Sequence, residues 1–233
     1  MTVAAGPAPD ARVTPLTQCL LLAGKDLRLE RRTGEALLVT APFGAVALLL
    51  VPLSVGVDTP LLRQLGPAMY WLVVLLFGVL VTLRTSAVDS AAQLAMLRLA
   101  GVSARVRLAG RALGNGLLLL GFELLLAPVA VLLYNPDLTG WAWQVPVFVL
   151  VAAGLAVLGA LADALAAGLA GRTTLGPLLV APVAVPLLLG ATGVLTAARY
   201  GRPPWPWLVL VLTVDLVAAL LAAWCARYLE ELT

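Results

Sequence analysis

Six long apolar stretches follow one another along this chain: Ala36 to Val57, Pro67 to Leu83, Ala112 to Tyr134, Trp141 to Ala170, Leu175 to Ala198 and Trp205 to Tyr228. No other feature narrows the possible folds as much. About 20 apolar residues suffice for one helical crossing of a bilayer. Inside the bilayer every backbone N–H and C=O must find a partner within the protein, which a helix provides by itself. Six such crossings use most of the 233 residues and leave room only for short connections. Only 12% of residues are charged, against about 25% in a soluble domain. A water-soluble enzyme, a disordered protein and a nucleic-acid binder are therefore excluded. The expected fold is all-α and integral to the membrane, with residues 14–233 forming a single transmembrane domain after a disordered tail at 1–13.

Ahead of the first span, Thr14 and Pro15 read as an N-cap followed by proline at the first helical position. Leu16, Leu20, Ala23 and Leu27 then recur at helical spacing, while Lys25, Arg28 and Arg32 share another face. An amphipathic helix with basic side chains lies in the membrane interface rather than across it; an ordinary cytoplasmic helix is the plainer alternative. The chain start lacks the basic, apolar and small-residue pattern of a cleaved signal. Twelve of the fifteen Lys and Arg residues fall on one side of the six-span layout. By the excess of basic residues in cytoplasmic loops, both termini are expected on the cytoplasmic side. Tyr134, Trp141, Trp143, Trp205, Trp207 and Tyr228 stand at span ends, as an interfacial aromatic belt would. Cys19 and Cys225 both fall on the cytoplasmic side, so no disulfide is expected.

The connection between the second and third spans is the longest. Ser86 with Asp89 three residues on resembles a capping box, and Gly101 reads as a helix stop. A short, polar helix between them suits docking of a soluble partner; simple packing on the membrane surface is the alternative. Arg84, Asp89, Arg98 and Arg105 are the candidate contacts for such a partner.

Three carboxylates lie within spans: Glu123, Asp163 and Asp215. A charge near mid-helix costs about 2.5–3.5 kcal/mol on insertion scales, so an intramembrane acid suggests a substrate or proton path. The plainer reading is a hydrogen bond to a neighbouring helix, through Asn115, Thr192 or Thr213. Pro177, Pro182 and Pro186 crowd the fifth span, each removing a backbone donor. A broken or kinked helix buried against others is expected, either a moving hinge or a static distortion. Small residues recur every four positions at Ala152, Ala156, Ala160, Ala164 and Gly168, and again at Ala218, Ala222 and Ala226. Such seams let helices approach closely, mostly within one chain. The sequence contains no histidine, no phosphate-binding loop and no recognisable nucleophile motif. No enzyme activity, no bound metal and no directly bound cofactor are expected.

Pro52-Leu53-Ser54-Val55-Gly56, followed by Pro67 and Trp71, resembles the proline-leucine-serine-x-glycine motif and downstream proline and tryptophan of the CcmB permease family of cytochrome c maturation. Lys25-Asp26-Leu27-Arg28-Leu29-Glu30 is similar to that family's opening, and Gly159, Gly168, Pro182 and Pro186 match its later glycines and prolines in spacing. The resemblance covers roughly residues 20–200. It departs at Ala92-Gln93-Leu94-Ala95, where the family carries glycine-x-leucine-glutamate, and at Glu123, where the family is apolar or has proline.

What the resemblance implies is a multi-pass subunit of the bacterial inner membrane, working as a homodimer with a CcmA-like ATPase that binds ATP and magnesium. CcmC- and CcmD-like membrane proteins and the CcmE-like haem chaperone would be its partners. Haem would be a transported or handled ligand, with ATP hydrolysis coupled to its export or to release of the loaded chaperone. An ABC permease for another lipid-like or amphipathic substrate, and a non-transporting scaffold for cytochrome assembly, are the alternatives.

Overall fold

The computed structural model describes residues 14–56, 58–87, 96–97, 99–168 and 175–231, and within these the side chains of 33, 35–36, 77, 81–87, 163–168, 175–181 and 228–231 are outside the described set. The expected tail at 1–13 also lies outside the described residues. Helix α1 spans Pro15–Thr33. Its N-cap is Thr14, whose hydroxyl accepts from the Thr17 N–H at 3.4 Å. It stops at Gly34, which takes φ +64° and donates to the Glu30 carbonyl. Only glycine enters that left-handed region without steric cost. A π-helical turn, Glu35–Val39, follows. The Glu30 carboxylate accepts from the Leu37 N–H at 2.9 Å and ties that turn back to α1.

The membrane helices are α2 Thr40–Val55, α3 Thr59–Ala87, α4 Ala104–Tyr134, α5 Gln144–Gly168, α6 Leu175–Arg199 and α7 Trp205–Glu231. All six are long and apolar enough to cross a membrane. Among the described residues there is no strand. The expected membrane bundle is thus the observed one; the span boundaries differ from the sequence reading by a few residues, except that α3 and α4 each begin earlier, at Thr59 rather than Pro67 and at Ala104 rather than Ala112. Helix α4 has 31 residues. At 1.5 Å per residue it is about 46 Å long, well beyond the roughly 30 Å hydrocarbon core. Its N-terminal turns, with Arg105, Arg107 and Arg111, project past the apolar band. Ser103 caps it by accepting from the Val106 N–H at 3.3 Å. Just before the cap, the Val102 N–H reaches the Leu97 carbonyl and Gly101 takes φ +73°. That is a Schellman closure, so the stop expected at Gly101 is present. The connection's core, including Asp89 and Arg98, lies outside the described residues.

Helix α4 is the hub, packed against α1, α2, α3, α5 and α7. Its contact with α1 uses two glycines one turn apart. A Cβ on Gly110 would stand 2.8 Å from Leu22 Cβ and 3.2 Å from the Cys19 carbonyl. On Gly114 it would press against Asp26 and Ala23. This small-xxx-small notch brings the two helices close. It also divides the apolar stripe read from the sequence, because Ala23 is buried on α4 while Leu16 and Leu20 remain exposed. The described part of the α5 alanine seam is an intrachain contact: Ala152, Ala156 and Ala160 are buried, and a Cβ on Gly116 of α4 would stand 3.5 Å from the Ala156 methyl. Ala218, Ala222 and Ala226 are buried likewise.

Helix α6 is not broken: it runs continuously through Pro182 and Pro186. Ala184, Leu187, Ala191 and Val194 bury one face of it, as expected, while Pro182 itself is exposed. The prolines are four apart, so the carbonyl that Pro186 fails to engage belongs to Pro182 itself, and the two missing bonds fall on consecutive turns. Pro177 lies on α6, with its side chain outside the described residues.

Candidate functional site

Pro52 sits inside α2 and has no N–H, so the carbonyl of Leu48, four residues back, loses its helical partner. In a bilayer no water replaces it. The hydroxyl of Tyr134, at the far end of α4, donates to that carbonyl at 2.8 Å. Reaching it requires the Tyr134 ring to pass α3 where a side chain would block it. Gly66 is at that place: a Cβ there would be 2.7 Å from Tyr134 Cβ. Tyr134 is consequently 1% exposed, buried in the core and not part of the interfacial belt expected of it. Trp141 and Trp205, by contrast, are each more than half exposed beside the loops at that end. The rest of the proline-containing motif closes the corner. Ser54 donates to the Val51 carbonyl at 2.9 Å, and Gly56, at φ +73°, donates to the Pro52 carbonyl.

Downstream, Tyr70 and Trp71 of α3 meet Phe148 of α5 in a three-ring cluster, with centroids 5.0–6.1 Å apart and tilted or edge-on geometry. Such edge-to-face pairs contribute beyond area burial. The Tyr70 hydroxyl donates to the Glu123 carbonyl at 2.8 Å, on the turn of α4 that precedes Pro128. Both tyrosines therefore spend their hydroxyls on backbone carbonyls and turn their rings to the space between α3, α4 and α5. That space is a cavity of about 520 Å³, walled by Pro67, Trp71, Phe148 and the two tyrosines and rimmed by the 136–141 loop. Small-molecule sites measure roughly 300–1,000 Å³.

Two of the three intramembrane carboxylates are described. Glu123 is 0% exposed and neither carboxyl oxygen has a hydrogen-bond partner. Asp215 of α7 is wedged against Gly154 of α5, again with both oxygens buried and unpartnered. A side chain at 154 would collide with its carboxylate, so the glycine makes the niche. The plainer sequence reading fails for two of its candidate partners. The Thr192 hydroxyl bonds the Leu188 carbonyl of its own helix, and the Thr213 hydroxyl bonds that of Val209. Asp163 lies on α5, with its side chain outside the described residues. Arg105 is exposed on the first turn of α4, and Arg84 is on α3 with its side chain outside the described set. Among the described residues there is no cluster of metal-ligating side chains, and Cys19 and Cys225 are both free.

Sequence reasoning missed the Tyr134–Leu48 bond, the Gly66 and Gly154 niches and the cavity. One signal was available. A proline in a membrane helix demands a donor from elsewhere, and Tyr134 was the polar side chain at a matching depth.

Six helices apolar enough to span, an apolar aromatic cavity, buried acids and an amphipathic helix clamped to the hub make this a polytopic membrane protein. Residues 17–228 match the family described as CcmB protein, and the chain belongs to that family. It is similar to proteins named heme exporter protein B. The one from Paracoccus denitrificans is 30% identical over 204 residues, covering 87% of this chain and 93% of that protein. The one from Haemophilus influenzae is 29% identical over 184 residues, covering 77% and 81% respectively. The Pseudomonas aeruginosa protein is 31% identical over 199 residues, covering 78% and 82%.

Proposed function

We propose that this chain is the membrane-spanning subunit of an ABC transporter in cytochrome c maturation, acting as a homodimer in the bacterial inner membrane with both termini cytoplasmic. A separate ATPase closes on ATP and pushes on the 86–101 connection and α1. The single observation that carries the mechanical part is the clamp of α1 on Gly110 and Gly114. A force applied to α1 enters α4 directly, and α4 reaches without interruption to the aromatic cavity at the opposite end. The bundle then moves between two packings, as alternating access requires. Support for an interfacial α1 comes from its outward face, where Leu20 and Leu21 adjoin Arg28 and Arg32 along a shallow groove.

Haem enters this reading as the handled substrate, with CcmC-, CcmD- and CcmE-like proteins as companions. The described cavity walls contain no charged side chain and no imidazole, thiol or thioether. The two phenols there are committed to backbone carbonyls and no cation is present for haem carboxylates, which favours a force-transmitting role over a haem-holding one. The test is a pull-down of the full chain from native membranes, with identification of the bound ATPase. Deleting residues 86–101 is expected to abolish stimulated ATP hydrolysis, and a strain lacking the chain is expected to lose c-type cytochromes. Normal haem attachment in that strain would refute the assignment.

A further inference from the structure

We propose that the cavity between α3, α4 and α5 is a binding site for one acyl chain of a phospholipid in the leaflet opposite the termini, with the lipid's ester carbonyl accepting a hydrogen bond from Gln144. This goes beyond the transport role and does not depend on it.

Three observations define the occupant. The first is the direction in which the cavity opens. Its rim includes Leu124 and Val131 of α4 and Val145 and Val149 of α5, all exposed and all within spanning segments. Apolar side chains exposed at that depth face lipid, so the cavity opens sideways into the bilayer. The second is the chemistry of the wall. Both phenols are committed to backbone carbonyls, leaving ring faces and aliphatic groups with no charge among the wall residues. Such a surface takes hydrocarbon. The third is a single polar exception. Gln144, the first residue of α5, lines the cavity beside Trp141, and its amide nitrogen is buried with no hydrogen-bond partner.

A buried amide donor costs free energy until it is satisfied. The level of Gln144 is set by its belt neighbours Trp141 and Trp143, which place it where acyl chains join the glycerol backbone. A diacyl phospholipid presents an acceptor at that level and a hydrocarbon tail below it. Its ester carbonyl meets the Gln144 amide, and its chain runs down past Phe148 and Trp71.

The test uses the purified full-length chain in detergent, washed with 1-palmitoyl-2-oleoyl phosphatidylethanolamine or its ether-linked analogue and read by native mass spectrometry. The wild-type chain is expected to retain one ester lipid per copy, and Ala127→Phe, which fills the cavity, is expected to reduce retention at least tenfold. Gln144→Leu should lower retention of the ester lipid several-fold and leave the ether lipid, which lacks the carbonyl, unchanged. Val149→Trp at the exposed rim reads the same blockage should Ala127→Phe fail to fold. Equal retention by the wild type and a folded blocking variant would overturn the proposal. So would efficient cross-linking of two copies through Val149→Cys in membranes, with Cys19 and Cys225 replaced by serine, since the groove would then be an interface between chains.

Discussion

Replacing Tyr134 by Phe removes one hydroxyl and leaves the Leu48 carbonyl without the donor that Pro52 made necessary. A buried acceptor left unsatisfied costs about 1–3 kcal/mol. Hydrogen bonds between membrane helices average about 0.6 and reach about 1.7 kcal/mol, because the unfolded chain in lipid also finds partners. Tyr134 is fully buried and its acceptor has no helical partner, so a cost of about 1–2 kcal/mol is expected by those scales. For chains of 150–250 residues each kcal/mol moves a soluble domain's midpoint by roughly 2–4 °C, a useful guide to the size of shift to resolve. The decisive experiment is a double-mutant cycle. Pro52→Ala restores an N–H that reaches Leu48 from within α2, so in that background Tyr134→Phe should cost no more than a few tenths of a kcal/mol. Stability is read from reversible unfolding of all four proteins in mixed detergent micelles. Equal costs in the two backgrounds would show that the hydroxyl does not serve the proline's orphan carbonyl, and the reasoning would be wrong.

Gly154→Ala should destabilise strongly through collision with the Asp215 carboxylate, and Asp215→Ala should rescue it; unfolding midpoints decide, and a lack of rescue removes the niche from the argument. Glu123→Leu should stabilise the bundle by about 1–3 kcal/mol, the cost of an unsatisfied buried polar group; if transport activity survives intact, Glu123 has no part in the mechanism. Gly110→Leu should pry α1 from α4, seen as faster maleimide labelling of Cys19 in a Cys225→Ser background. At the loop after α4, the Thr139 hydroxyl and N–H both bond Asp137 and hold its carboxyl below the usual range. A lowered folded value means the contribution is present above the unfolded Asp value and lost as pH falls through the folded one, so loop order should decline below about pH 4. An Asp137→Asn chain should lose that pH dependence in hydrogen exchange of residues 137–141.

The membrane bundle was readable because its signal is local. A run such as Ala36 to Val57 declares itself without knowledge of neighbours, as do the Thr14–Pro15 cap and the Gly101 stop. What stayed hidden depends on pairs far apart in sequence. Tyr134 ends a span and so looked like a belt residue; only Pro52, 82 positions earlier, and the gap at Gly66 turn it inward. The stripe on α1 looked uniform because nothing local says that Ala23 finds Gly114 while Leu16 and Leu20 do not. The carboxylate at 215 was visible as an anomaly, but the glycine that seats it is on another helix. The cavity has no sequence signature at all, being the space left by residues chosen for other contacts.

The clamp between α1 and α4 also imposes an order of assembly. The docking face of α1 leaves the ribosome about 90 residues before Gly110 and Gly114, a wait of roughly 5–20 s at ordinary synthesis rates. Through that interval the nascent helix has no protein surface to rest on. On the interfacial reading of α1 proposed above, its exposed Leu16, Leu20 and Leu21, with the arginines beside them, would berth at the lipid surface until the hub is threaded.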